Sequence, residues 1–334
     1  YSDRYYIVRS QVFWIVVGSL LFGWFANFDH RKYASISRWL MIATLILMAV
    51  VFIPGVSHQV GKAKRWIKLG FMVFQPSEFA KLALVVYLAD LLSRRQDRIT
   101  DWRSAFLPGL IVTAGLVALA LGQSNLGTAI VLFGIAFSLF FTGGVPVKQM
   151  LVVGATFIPV VIFAVVRESY RLKRIFAYLN PWAYPDTAGY NIIQSWKSFF
   201  NGGLLGVGWG QSIQKTGLLP APHTDFIMAV LGEEMGILGV VILIALFMVV
   251  LVRGTSIALH SGSVFSRLLA FGITMMILLQ AAINMGVVTG ILPTTGLVLP
   301  FVSYGGSSLV TNMTGLGILV NIHKFNVQSE GGRL

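Results

Sequence analysis

The 334-residue sequence contains no cysteine, which excludes disulfides, thiolate metal sites and a cysteine nucleophile. Histidine is scarce: the five are scattered with no H-x-x-x-H spacing, which argues against a structural zinc site. Charge is the third shortage. Only 11% of the residues are Asp, Glu, Lys or Arg, and 12 of them are acids, against roughly 25% charged in a typical soluble domain. A soluble protein of this length could not cover its surface with so few charges.

What is present is apolar: 56% of the residues are hydrophobic, in recurring runs of about 20 residues, the length that crosses a bilayer as a helix. Nine such runs can be read, at 12–27, 36–54, 77–92, 105–121, 126–141, 147–166, 226–252, 265–288 and 307–322. Residues 1–11 read as a polar loop with no secretory signal pattern ahead of them. The expected fold class is all-α: a polytopic membrane helical bundle forming one membrane domain over 1–334, with no internal repeat and no soluble domain. A net charge of +13 can point to nucleic acid. Here the aromatic residues lie inside apolar runs, so anionic lipid is the expected partner and nucleic acid is not.

Two loops stand out. The stretch 167–225 opens on Arg167, Arg171, Lys173 and Arg174 and later passes through a glycine-rich run from Asn201 to Gly210. Within it, Ile192, Ile193, Trp196, Phe199 and Phe200 fall at helical spacing and predict a short helix at the membrane surface. The loop 56–74 gathers Lys62, Lys64, Arg65 and Lys68 around Trp66. Nine spans put twelve Lys and Arg on each side, with Lys81 inside a span. Discounting the six in the long loop places the 94–103 and 253–267 loops in the cytoplasm and 167–225 outside. A basic cluster left at 56–74 on the disfavoured side then calls for a phosphate-bearing ligand.

Asp225 is the last charge before the seventh run, so it is expected at the outer interface, where burial and nearby cations can tune a base. Helix capping by Thr224 and Asp225 is the competing reading. On a regular helix Glu233 lies about 80° and Glu234 about 180° from Asp225, and pairing with another span competes with catalysis for both. Glu78 and Lys81, at i and i+3, can pair on one helical face or line a polar cavity beside a phosphate. Two prolines and several glycines between Leu292 and Ser308 forbid a continuous helix and predict an irregular cavity-lining segment.

The chain resembles the SEDS family of polytopic membrane proteins (shape, elongation, division and sporulation; the FtsW, RodA and SpoVE type). The matching stretches occur in family order. They are Lys64-Arg65-Trp66-Ile67-Lys68-Leu69-Gly70, Gln75-Pro76-Ser77-Glu78-Phe79-Ala80-Lys81, Leu126-Gly127-Thr128-Ala129, Asn180-Pro181-Trp182, Gly189-Tyr190 with Gln194-Ser195, and Gly202-Gly203 through Gly210. His223-Thr224-Asp225-Phe226-Ile227, Gly232-Glu233-Glu234-Met235-Gly236 and Leu299-Pro300-Phe301-Val302-Ser303-Tyr304-Gly305-Gly306-Ser307-Ser308 complete the set. The glycine-rich run and Gly232-Glu233-Glu234 look more like the division type. The family favours ten spans, so its usual first span is expected to be absent here. Gln123-Ser124-Asn125 stands where the family commonly has Gln-Pro-Asp, and no acidic role is transferred to Asn125. The linker 184–189 is also longer than the usual form.

The resemblance implies a peptidoglycan glycosyltransferase (EC 2.4 class, inverting) that polymerises lipid II into β-1,4 glycan strands at the outer face of the bacterial inner membrane, in division or shape. It implies a class B penicillin-binding protein as partner, with other divisome or elongasome membrane proteins. Asp225 is then the expected general base, and Arg65, with Lys64 and Lys68, the expected pyrophosphate ligands. Glu78, Lys81, His223, Ser303, Tyr304, Gly305, Gly306 and Ser307 are expected around the substrate. No dedicated metal site can be read, although a divalent cation (Mg2+ or Mn2+) could share the pyrophosphate. A lipid-linked precursor flippase and a non-catalytic scaffold for the transpeptidase are the alternatives; few polar groups on the cytoplasmic half of the spans disfavour the flippase.

Overall fold

The computed structural model describes residues 5–60, 63–69 and 72–331. Among these are eleven α-helices and three strands. In chain order they are α1 (Tyr6–Phe25), α2 (Tyr33–Val50), β1 (Ser57–Val60), β2 (Ala63–Leu69), β3 (Met72–Phe74), α3 (Pro76–Ser93), α4 (Leu107–Gly122), α5 (Leu126–Thr142) and α6 (Val147–Val166). There follow α7 (Ser169–Leu179), α8 (Tyr190–Gly202), α9 (Ile227–Leu259), α10 (Val264–Val288) and α11 (Gly306–Gly331). Seven helical segments are long and apolar enough to cross a membrane: Ile7–Phe25, His30–Val50, Trp102–Gly122, Leu126–Gly143, Val147–Val166, Ile227–Leu259 and Val264–Val288. The chain is thus a multi-pass helical membrane protein. The runs expected at 77–92 and 307–322 form α3 and α11, whose polar content lowers their apolarity. Arg9, expected in a polar loop, lies inside α1.

The chain forms two compact units. The first comprises Tyr1–Ala155, Leu251–Leu279 and Gly305–Leu334; the second comprises Thr156–Val250 and Gln280–Tyr304.

The first unit is organised on α3. Fifteen of its 18 residues are buried, Glu78, Lys81 and Asp90 among them. A helix apolar all round, apart from three charges, can be enclosed by neighbours provided each charge is satisfied inside the protein. Asp90 meets that condition: it accepts from Ser37 Oγ at 2.6 Å and pairs with Arg94 Nε at 2.6 Å. The basic loop expected at 56–74 is a β-sheet, ordered β1-β2-β3 with antiparallel pairing throughout and an irregularity between His58 and Gln59. Alternation explains it: Ile67 is buried while Lys68 is exposed, the period-two pattern of a half-buried strand. Lys62 lies outside the described residues.

At the opposite ends of these helices His30 ties three segments together. Asn321 Oδ1 accepts from the His30 backbone N–H at 3.1 Å and lies 2.8 Å from Nδ1, while Asn321 Nδ2 donates to the Ala26 carbonyl. The amide oxygen therefore requires a proton on Nδ1. On the neutral ring Nε2 is then the acceptor, taking the Ser266 hydroxyl at 2.7 Å.

The second unit is organised on a break in α9. Gly236 sits at φ 67°, ψ −167°, a conformation closed to residues with a Cβ. Breaking a helix orphans carbonyls before the break and amides after it. The glycine-rich loop after α8 takes both sets. Val207 N and Gly208 N donate to the Glu233 and Glu234 carbonyls, at 3.0 and 3.1 Å. Ile237 N and Leu238 N donate to Gly203 O and Leu204 O, at 2.9 and 3.3 Å. The approach is close enough that a Cβ on Gly206 would lie 2.2 Å from Glu234 O. The side chains repeat the theme. Glu233, fully buried, accepts from Asn201 Nδ2, Ser212 Oγ and Gln214 N, and Glu234 pairs with Lys215 at 2.6 Å. The two glutamates thus meet the end of α8 and the loop after it, not another span, and the helix is not regular. The surface helix expected from Ile192 to Phe200 is α8, with Ile192 and Ile193 buried and Phe200 outermost.

Asn321→Ala leaves both His30 donors without their acceptor. Thermal unfolding in detergent is expected to show a loss of about 1–3 kcal/mol. Gly236→Ala is expected to cost a similar amount, about 1–3 kcal/mol from backbone strain, and to raise protease sensitivity in 203–217, whereas Gly262→Ala, with open space around its Cβ, should leave both readouts unchanged.

Candidate active site

In the second unit two irregular segments are laced together beside α10. The turn 221–226 begins with Ala221 at φ 52° and accepts the Thr224 N–H on its carbonyl at 3.2 Å. The segment expected to be irregular from Leu292 to Ser308 is so as far as Gly305, with Gly296 and Phe301 at positive φ, whereas Gly306, Ser307 and Ser308 already belong to α11. Tyr304 N donates to His223 O at 2.8 Å. Ser303 Oγ donates to Thr224 O at 2.6 Å and accepts from Leu299 N at 2.7 Å. Three consecutive residues, His223, Thr224 and Asp225, therefore have their carbonyls held, because the third partner comes from α10. Asn284 Nδ2 donates to Asp225 O at 2.9 Å and to Leu297 O at 2.6 Å, and one helical turn earlier Gln280 Nε2 donates to Val298 O at 2.9 Å.

Asp225 is half-buried, two residues ahead of the first residue of α9. Gly296 lies against its carboxylate: a Cβ there would stand 3.5 Å from Asp225 Oδ2, so any larger side chain would press on it. His223 is exposed, and its carbonyl is the acceptor for Tyr304. Ser303 is buried, with its hydroxyl spent on two backbone groups. The sequence reading missed Gln280 and Asn284. Their signal is visible in hindsight: two amides four residues apart share one face of an apolar helix, where lipid would leave them unsatisfied.

The first unit holds the other candidate residues. Glu78 and Lys81 form the expected ion pair at 2.8 Å in the first turns of α3, both nearly inaccessible. Ser77 Oγ accepts from Gln75 Nε2 at 3.1 Å, and Asn125 Nδ2 lies 3.5 Å from it. Asn125 also caps α5 through its side-chain oxygen and the Thr128 N–H, a task that its amide performs without an acid. Arg65 reaches in from β2 and donates to Gln123 O and Ser124 O, the latter residue at φ 58°. Lys68 is exposed on the other face of the strand, and the Lys64 side chain lies outside the described residues. The expected basic cluster is thus divided, with Arg65 turned inward. Gly305, Gly306 and Ser307 form the entry to α11, where Ser307 Oγ accepts the Gln75 N–H at 3.0 Å. A Cβ on Gly306 would meet the Trp14 ring at 2.2 Å, which reserves that position for glycine. Among the described residues no three His, Asp or Glu side chains are grouped so that they could hold a metal ion together.

The arrangement offers a rigidly mounted carboxylate in one unit, and a buried ion pair and an inward arginine in the other. A family model described as "Cell cycle protein" (FTSW_RODA_SPOVE) matches residues 1–328. A protein of Geobacter metallireducens named probable peptidoglycan glycosyltransferase FtsW is 40% identical over 322 residues, covering 96% of this chain and 86% of the relative. Stage V sporulation protein E of Bacillus subtilis is 38% identical over 326 residues, with 98% and 89% covered. Among solved structures, a chain from "Structural coordination of polymerization and crosslinking by a peptidoglycan synthase complex" superposes with a TM-score of 0.80 at 30% identity, covering 96% of this chain and 90% of that one. The rod shape determining protein RodA of Thermus thermophilus gives 0.72 at 28% identity, with 96% and 88% covered. This chain belongs to the FtsW, RodA and SpoVE family of cell cycle proteins.

Proposed function

We propose that the chain is a peptidoglycan glycosyltransferase that polymerises lipid II at the outer face of the bacterial inner membrane, serving cell division. The names of its relatives support the activity and the division role. The observation that carries the residue assignment is the mounting of Asp225: its carbonyl and those of the two residues before it are all held, which fixes the backbone beneath its half-buried carboxylate.

Lipid II brings its own leaving group, an undecaprenyl pyrophosphate on MurNAc C1. The protein must therefore take a proton from the acceptor GlcNAc 4-hydroxyl and stabilise charge on the departing pyrophosphate. In this reading the Asp225 carboxylate accepts that proton as the hydroxyl oxygen attacks C1. The C1–pyrophosphate bond breaks, and one displacement turns the α-linked donor into a β-1,4 product. Cations suit the leaving group. Arg65 is assigned to it, without Lys68, which lies on the other face of β2; Glu78 and Lys81 line the polar interior of the first unit. His223, Ser303 and Tyr304 are read as the frame that sets the base, and Gly305, Gly306 and Ser307, at the entry to α11, as substrate contacts of the first unit. The similarity to a chain of a peptidoglycan synthase complex supports a transpeptidase partner, here a class B penicillin-binding protein.

Polymerisation of purified lipid II, read as glycan on a gel, tests the assignment. Asp225→Asn, which keeps shape and removes the base, is expected to lower the rate about 100-fold or more, with normal folding and normal partner binding. Wild-type glycan from that variant would sink the role of Asp225. Asn284→Leu, which releases the Asp225 carbonyl, is expected to lower kcat about tenfold while KM for lipid II changes little. A change confined to KM would instead make Asn284 part of substrate binding.

A further inference from the structure

The first unit contains a polar cavity that none of this chemistry uses. It encloses about 150 Å³ and is lined by Arg38, Tyr87, Asp90, Arg94 and Arg95, with Leu91 and Pro108 supplying apolar wall. It lies at the far end of α3 from Glu78; Asp90 is 12 residues along, about 18 Å of helix rise. By the alternation of spans this is the end that carries the basic 94–103 loop.

The charges in the cavity do not balance. Asp90 is the one carboxylate in its lining, and both its oxygens are taken, by Ser37 and by Arg94. Arg94 also donates to the Ala34 carbonyl at 2.9 Å, so it is committed to holding α3 against α2. Arg38 and Arg95 remain, with no ion-pair partner among the described residues. Two guanidinium groups and a phenol facing a space about ten times larger than one water needs form a receptor for an oxyanion, and arginine's planar fork is shaped for phosphate.

The surroundings identify the carrier of that phosphate. Trp39, beside Arg38, is 73% exposed and Trp102 is 47% exposed; tryptophans so placed in a membrane protein mark headgroup depth. On α2, Ile42 and Ile46 are also exposed, at 48% and 57%. They lie about 40° and 80° around the helix from Arg38, forming an apolar flank that rises from the cavity along the span. Cations at headgroup level with an apolar track leading away match an anionic phospholipid better than a free ion. We propose that this cavity binds the headgroup of one anionic phospholipid, with its phosphodiester on Arg38 and Arg95, a hydrogen bond from Tyr87, and an acyl chain along Ile42 and Ile46.

The test is lipid retention by the full chain in detergent, read by native mass spectrometry with added phosphatidylglycerol, phosphatidylcholine or inorganic phosphate. Wild type is expected to hold one phosphatidylglycerol in preference to phosphatidylcholine. Arg38→Gln with Arg95→Gln should weaken that retention about tenfold or more, while Arg103→Gln, an exposed arginine of the 94–103 loop outside the cavity, should not. Arg38→Lys with Arg95→Lys keeps the charge and should weaken it less, which preserves the test if the glutamine pair folds poorly. Three results would each overturn the proposal: equal retention by wild type and the glutamine pair, equal retention of the two lipids, or displacement of phosphatidylglycerol by an equal concentration of inorganic phosphate.

Discussion

Inside a bilayer no water is available to replace a lost backbone hydrogen bond, and everything irregular in this protein has to answer to that constraint. A continuous helix satisfies its own amides and carbonyls. The positions where this chain departs from a continuous helix are therefore the positions where other protein groups must supply the missing partners. At Gly236 they come from a glycine-rich loop, donor for acceptor and acceptor for donor. Along 297–304 they come from two side-chain amides of α10 and one serine hydroxyl. The turn carrying Asp225 is held from the same set.

Buried charge obeys the same logic at higher stakes, since an unpaired ion in a low-dielectric interior is costlier than an unpaired amide. Each acid on the buried helix α3 has a cation within 2.8 Å, Glu78 with Lys81 and Asp90 with Arg94. Glu233 is satisfied differently, by hydrogen bonds from three neutral donors. That arrangement clamps a carboxylate in place but adds no positive charge beside it. The glutamate best protected from solvent thus serves architecture, holding the loop to the helix on which the proposed base is mounted.

The spans were legible in the sequence because a bilayer demands long apolar runs, and α3 and α11 were found by the same rule despite their polar residues. The Glu78–Lys81 pair was legible because its partners are three residues apart, and α8 because its apolar residues keep helical spacing. The sheet at 57–74 was hidden: four cations around Trp66 draw attention to charge and away from the alternation that buries Ile67 and exposes Lys68. The break at Gly236 was hidden because glycine is common in membrane helices, and what decides the break is a loop some thirty residues earlier in the chain. Gln280 and Asn284 were hidden by their apolar surroundings. In each case the missing information was the identity of a distant partner, which local pattern does not encode.

The interruption of α9 has a mechanical meaning. A helix transmits rotation and translation along its axis only as far as its hydrogen-bond ladder is unbroken, and here the ladder changes hands at Gly236. The first two turns answer to the loop beside them. The long remainder answers to whatever packs along it in the membrane. The aspartate thus lies on the short side of the break, and its carbonyl is held by α10 and not by the ladder of the long span.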